Sequence, residues 1–94
     1  MLSNIPTDLD KLNKEDIDRE ILRVGIIAEL DAVNLYEQMA AKAQDEGIKK
    51  ILLDIAKEEK THVGEFQHLL LQRDDEQVKE LEEGKREVEE ELAE

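Results

Sequence analysis

Two apolar stripes with helical spacing dominate this sequence. Along residues 14–44, and again along 48–72, apolar side chains recur at alternating steps of three and four positions, which places them on one face of an α-helix. The first stripe is Leu22, Ile26, Glu29, Val33, Tyr36, Ala40 and Ala43, and the second is Leu52, Ile55, Glu59, His62, Phe66 and Leu69. Only the Asp-Glu-Gly break at 45–47 separates the two segments. The pattern therefore predicts an antiparallel helical hairpin.

The chain outside the stripes divides into an N-terminal arm and a C-terminal helix. Residues 1–13 hold Pro6, the only proline, and are expected to form an irregular arm. Residues 14–72 form the predicted hairpin. Residues 73–94 are expected to form an acidic helix or tail with a weak point at Gly84 and a thin apolar line on one side. That line is Val78, Leu81, Val88 and Leu92.

Capping residues stand at each predicted helix boundary. The side chain of Asn13 or of Thr7 is expected to cap the first helix, because either can accept hydrogen bonds from free first-turn amides. Gly47 is expected to close the first helix in the left-handed conformation. Asp74 and Asp75 offer an N-cap for the third helix.

The composition excludes several classes of protein. The chain has 94 residues and a net charge of −13, so it forms one small domain whose charge repels nucleic acid. It contains no cysteine, which excludes disulfides, thiolate metal sites and a cysteine nucleophile. No apolar run approaches the ~20 residues that span a bilayer, and no signal peptide pattern is present. We therefore expect a cytoplasmic, all-α protein that does not bind membranes.

Ionisable residues interrupt both stripes at their centres. Glu29 lies in the first stripe, and Glu59 and His62 lie in the second, three residues apart and on one side of the helix. In an antiparallel hairpin the two centres lie at the same level, so the three side chains are expected to meet. A divalent metal would compensate their burial, and carboxylates with an imidazole suit iron or manganese, with zinc as a competitor.

The predicted metal site is only half complete in one chain. A carboxylate-bridged di-iron bundle takes a glutamate from each of two helices and a Glu-x-x-His pair from each of two others. This chain supplies one of each, in Glu29 and in Glu59 with His62. Two copies related by a twofold axis would complete both the site and a four-helix bundle. The sequence thus predicts a homodimer with a di-iron centre at its interface.

Other interpretations of these residues stay open. A polar residue in an apolar stripe can serve only to set helix register or oligomeric state, and a lysine or arginine could neutralise the glutamates. Tyr36 is equally suited to core packing and to a hydrogen bond to a ligand or a redox role. Asp31 fits an acidic rim that attracts cations. Glu65 fits a supporting or transient ligand as well as a solvated side chain, and His68 fits the surface.

The segments AELDAVNLYEQMA at 28–40 and ILLDIAKEEKTHVGEF at 51–66 resemble the encapsulated ferritins, the two-helix branch of the ferritin-like superfamily. The likeness covers roughly residues 15–72, and both glutamates and the histidine keep the spacing of that family. The resemblance implies a ferritin-like four-helix bundle formed by two chains. It also implies that Glu29, Glu59 and His62 bind iron, with Glu59 bridging two ions across the dimer.

The same resemblance implies an activity and a partner. Family members are ferroxidases that oxidise Fe(II) with oxygen, assemble as rings of dimers and work inside encapsulin shells, where the iron is stored. In some relatives the domain is fused to the shell protein. The sequence departs from that family in two ways. Some members carry an additional acid just before the first glutamate ligand and a tryptophan just before the tyrosine, both linked to iron entry, and these positions hold Ala28 and Leu35. In addition, no targeting peptide follows the acidic helix. We therefore expect either a domain excised from a shell fusion or a cargo protein that is loaded in another way, and we favour the first.

Two rival functions follow from the same residues. A rubrerythrin-like peroxide reductase would use the same di-iron centre but, without cysteines in the chain, would need a separate electron donor. A non-enzymatic acidic helical interaction module would use Glu29, Glu59 and His62 only to fix the register of a dimer.

Overall fold

A computed structural model of the protein describes residues 13–93, and within this part of the chain three α-helices are the only regular secondary structure. The helices are α1 (Lys14–Lys42), α2 (Glu46–Leu71) and α3 (Asp75–Leu92). The predicted all-α architecture with a helical hairpin and a C-terminal helix is confirmed. The arm predicted for 1–13, including Thr7, lies outside the described residues except for Asn13.

The connection between α1 and α2 differs from the predicted one. Ala43 and Asp45 adopt extended backbone conformations, and the Asp45 carboxylate caps α2 by accepting a hydrogen bond from the Ile48 N–H at 2.9 Å. Gly47 lies in the first turn of α2, and no glycine within 13–93 has a positive φ. The prediction that Gly47 ends α1 in the left-handed conformation is therefore wrong. An N-cap aspartate two residues earlier starts the next helix before the glycine is reached.

The hairpin core follows the predicted stripe on α1 and departs from it on α2. Leu22, Val33 and Ala40 are buried as expected. On α2, Leu70 is 4% exposed whereas the predicted Leu69 is 42% exposed. The α2 line that meets α1 passes through Ala56 and Leu70, fourteen residues or about four turns apart. The predicted α2 stripe runs beside this line: its central residues still face α1, but its end at Leu69 is exposed.

The start of α3 is tied to the hairpin by Asp74. One carboxylate oxygen accepts the Gln77 N–H at 3.0 Å and caps α3, and the other pairs with the Arg23 guanidinium of α1 at 2.9 Å. Asn13, in contrast, occupies the N-cap position of α1 without a side-chain capping bond. Beyond its start, α3 diverges from the hairpin. None of the three described helices is long and apolar enough to cross a membrane.

The joint at Asp74 makes stability depend on pH. The Gln77 N–H and the Arg23 guanidinium hold the pKa of the Asp74 carboxyl below its usual value of 3.8. Because the folded pKa is the lower one, the carboxylate stabilises the fold above the unfolded pKa. That contribution is lost as the pH falls through the folded pKa.

We therefore expect Asp74→Asn to lower the melting temperature at pH 7, because the amide can still cap α3 but carries no charge to pair with Arg23. The difference from the wild type should shrink as the pH is lowered below about 4. Asp74→Ala should melt lower still at pH 7, since it also loses the cap. Thermal melts across pH 2–7 measure both effects, and a difference that does not change with pH would contradict this account.

Candidate metal centre

Glu29, Glu59 and His62 converge near the middle of the hairpin. Glu29 lies close to the midpoint of α1, and Glu59 lies close to the midpoint of α2. The short connection forces the two helices to run antiparallel, so the midpoints face each other. His62 follows Glu59 by three residues and projects to the same side of α2.

The donor atoms of the three residues lie close enough to share one cation. Nδ1 of His62 is 3.2 Å from Oε2 of Glu59 and 3.4 Å from Oε2 of Glu29. One ligand atom from each residue lies within 4.8 Å of the other two. Nδ1 of His62 is therefore within hydrogen-bonding distance of Glu59, and the tautomer that carries the proton on Nδ1 donates to that carboxylate.

The cluster opens towards solvent on the histidine side. The side chains of Glu29 and Glu59 are 19% and 18% exposed, whereas that of His62 is 44% exposed. The two carboxylates therefore lie in the cleft between the helices, and the imidazole lies at its rim. This leaves space for further ligands on the open side.

The carboxylates of the cluster have no lysine or arginine partner within the described part of the chain. The ion pairs of Glu29 and Glu59 are both with His62. The nearest basic residue in sequence, Lys60, pairs across the hairpin with Glu37 at 3.0 Å. The alternative in which a basic side chain neutralises these glutamates thus finds no support in residues 13–93.

The donor set fits a divalent transition metal. Two carboxylate oxygens and one imidazole nitrogen, without sulfur, suit iron or manganese and also accept zinc. Three ligands are fewer than the four to six that such ions take. The chain therefore presents an incomplete coordination shell whose missing ligands must enter from the open side.

The secondary candidates lie outside this cluster. Asp31 and Glu65 are not among the carboxylates whose oxygens come within 4.8 Å of one another, and Glu65 is exposed. Tyr36 is half-buried, seven residues beyond Glu29, which is about 10 Å along α1. Their predicted roles as supporting residues stay predictions. His68 is exposed, and its ring lies 3.3 Å from the Gln72 amide.

Sequence reasoning missed a contact one turn away from the cluster. The ring of Phe66 packs against the backbone of Gly25. The glycine in the middle of α1 was the available signal, since glycine costs about 1 kcal/mol relative to alanine inside a helix. A pattern of apolar residues does not show which side chain occupies the space that such a glycine leaves.

Comparison with known proteins places these features in a family context. The rubrerythrin family model matches residues 20–93. A crystal structure of an encapsulated ferritin domain from Pyrococcus furiosus superimposes with a TM-score of 0.82, at 56% identity, over 96% of this chain and 94% of that one.

Two curated relatives are longer than this chain. A ferritin-like–encapsulin shell fusion protein from Pyrococcus furiosus is 58% identical over 93 residues, which is 96% of this chain but 27% of the relative. The encapsulin nanocompartment cargo protein EncC from Myxococcus xanthus is 37% identical over 68 residues, or 72% of this chain and 52% of the relative. The chain thus spans about a quarter and about half of their lengths.

The two facing carboxylates should destabilise the metal-free protein. We expect Glu29→Gln to raise the melting temperature in the presence of a chelator by about 2–5 °C, or roughly 1 kcal/mol or less in a domain of this size. The amide removes one negative charge and can donate a hydrogen bond to Glu59. Calorimetry measures the change, and Glu58→Gln at the exposed neighbour of Glu59 is the matched control. A lower melting temperature for Glu29→Gln would show that repulsion between the glutamates is not significant.

Proposed function

This chain belongs to the rubrerythrin family as an encapsulated ferritin-like domain, and from that premise we propose that it is a ferroxidase. It oxidises Fe(II) to Fe(III) with dioxygen at a di-iron centre formed across a homodimer. The observation that carries the proposal is the convergence of Glu29, Glu59 and His62, whose donor atoms lie within 4.8 Å of one another. Within 13–93 the two carboxylates have no lysine or arginine partner. The membership supports iron as the metal.

The dimer is inferred from the incomplete site and from the surface around it. Apolar side chains lie at seven-residue intervals on both sides of His62 along α2, at Ile48, Ile55 and Leu69. Ile48 and Leu69 are 57% and 42% exposed. On α1, exposed Ile21 shares a surface depression with Leu69, and exposed Met39 shares a groove with Ile48. The open side of the cluster therefore lies within an apolar face. A second copy related by a twofold axis would cover that face and add a second set of three ligands.

Each ligand has a defined task in the proposed reaction. Two Fe(II) ions, the substrate, release one electron each, and one dioxygen accepts the pair with two protons to give hydrogen peroxide. The carboxylates of Glu29 and Glu59 would stabilise the harder Fe(III) product, and Glu59 is the carboxylate that we propose to be shared between the two ions. His62 would supply a neutral nitrogen, and binding through Nδ1 requires that this atom carry no proton, which ends any hydrogen bond that it donates to Glu59.

The setting of the reaction is inferred from the relatives. One relative is fused to an encapsulin shell, and another is a cargo protein of an encapsulin nanocompartment. We infer that this domain also works inside an encapsulin compartment, where the shell retains the Fe(III) that the domain releases. The net charge of −13 favours local enrichment of Fe(II) around the domain.

Aerobic oxidation of Fe(II), followed by absorbance, tests the activity. We expect the wild-type protein to accelerate oxidation and Glu59→Gln to reduce the rate to that of iron without protein, because the bridging carboxylate is lost. Glu58→Gln is the matched control: it removes one charge from the exposed adjacent position and should keep the wild-type rate. Equal rates for Glu59→Gln and the wild type would contradict the proposal.

The choice of oxidant separates the rival activities in the same assay. A ferroxidase is expected to oxidise Fe(II) with dioxygen as rapidly as, or more rapidly than, with hydrogen peroxide under anaerobic conditions. A protein that reacts only with peroxide would be a peroxide reductase instead. A protein that accelerates neither reaction and binds no Fe(II) would be an interaction module.

A further inference from the structure

The ring of Phe66 lies flat against α1 at Gly25. A Cβ atom added to Gly25 would come within 3.2 Å of the ring atoms Cδ1, Cδ2 and Cε1. Equal distances to atoms on both sides of the ring mean that such a Cβ would stand over the face of the ring. Ordinary carbon contacts are about 3.5–4.0 Å, so any residue larger than glycine forces the ring or the helix to move.

This contact lies one turn from the metal centre on both helices. Gly25 precedes Glu29 by four residues, and Phe66 follows His62 by four residues. Four residues span about 6 Å along a helix and return to the same face. Because α1 and α2 run antiparallel, the contact and the centre are adjacent levels of one interface. A change in helix separation at the first level is therefore transmitted to the second.

We propose that Gly25 and Phe66 are a positioning pair that sets how closely Glu29 approaches Glu59 and His62. This inference rests on the proposed function of the centre. Carboxylate and imidazole ligands bind such metals at about 2.0–2.2 Å, with a tolerance of about 0.2 Å. A side chain at Gly25 would displace the interface by a few tenths of an ångström, which is comparable to that tolerance. Neither residue touches the metal in this proposal, and both act through the ligands.

Two other helical glycines provide a matched comparison. Gly64 in α2 and Gly84 in α3 have open space where a Cβ would lie. Gly84 lies on the helix that diverges from the hairpin, so Gly84→Ala changes helix propensity without changing the α1–α2 contact. An effect of Gly25→Ala that Gly84→Ala lacks therefore arises from contacts at Gly25 and not from the loss of a flexible residue.

Titration with Co²⁺ tests the positioning role. Co²⁺ does not react with dioxygen as Fe(II) does, and its visible absorption reports the ligand geometry. We expect Gly25→Ala to weaken Co²⁺ binding about 10-fold and to shift the visible absorption bands of the bound Co²⁺. A loss of about 10-fold is the lower end of the range for replacing residues that support a metal ligand. Gly84→Ala should bind as the wild type does. The double variant Gly25→Ala/Phe66→Leu should recover most of the affinity, because the smaller side chain accommodates the added methyl group.

The outcomes separate this inference from the proposed function. Wild-type affinity and bands in Gly25→Ala, or no recovery in the double variant, would overturn the positioning role. If Gly25→Ala does not fold, the single variant Phe66→Leu tests the positioning role instead. It loosens the contact between residue 66 and Gly25 and should weaken Co²⁺ binding severalfold, whereas unchanged Co²⁺ binding would overturn the proposal. Glu59→Gln tests the premise, because Co²⁺ binding as tight as that of the wild type would show that the centre is not a metal site.

Discussion

The constraint behind the proposed metal centre and its assembly is a pair of carboxylates that face each other across an apolar helical hairpin. Glu29 and Glu59 lie mostly in the cleft between α1 and α2, where water is partly excluded and like charges repel. Within residues 13–93, the only ion-pair partner of either is His62. A metal ion is the charge that suits this arrangement, and a buried carboxylate without a counter-charge would cost stability. The energetic cost and the proposed activity thus arise from the same atoms.

The incompleteness of the cluster links the proposed chemistry to the proposed assembly. Three protein ligands leave coordination positions open on the solvent side, and the face around them exposes apolar side chains such as Ile48 and Leu69. One partner could satisfy both needs, since a second copy brings three more ligands and covers the apolar face. In this account the hairpin folds as half of a bundle, and α3, tied to α1 by the Arg23–Asp74 pair, remains available for other contacts.

The sequence predicted those features that depend on periodicity and failed where tertiary contacts decide. Glu29, Glu59 and His62 could be brought together because each interrupts an apolar stripe at the centre of its helix. On α2 the sequence predicts a core position at Leu69, whereas the structure buries Leu70. The prediction is off by one residue because α2 carries apolar residues on two adjacent faces. The pair of Arg23 and Asp74 joins residues 51 positions apart, and no local pattern reveals such a contact.

Native mass spectrometry of the protein loaded with Co²⁺ tests the central claim most directly, because it counts ions and chains in the same particle. If each chain supplies half of a shared centre, metal should appear in dimers or multiples of dimers, with two ions per pair of chains, and monomers should carry none. Glu59→Gln should leave the dimers empty. Monomers that hold one ion each as firmly as dimers do would show that the three ligands form a complete site, and they would contradict the shared centre.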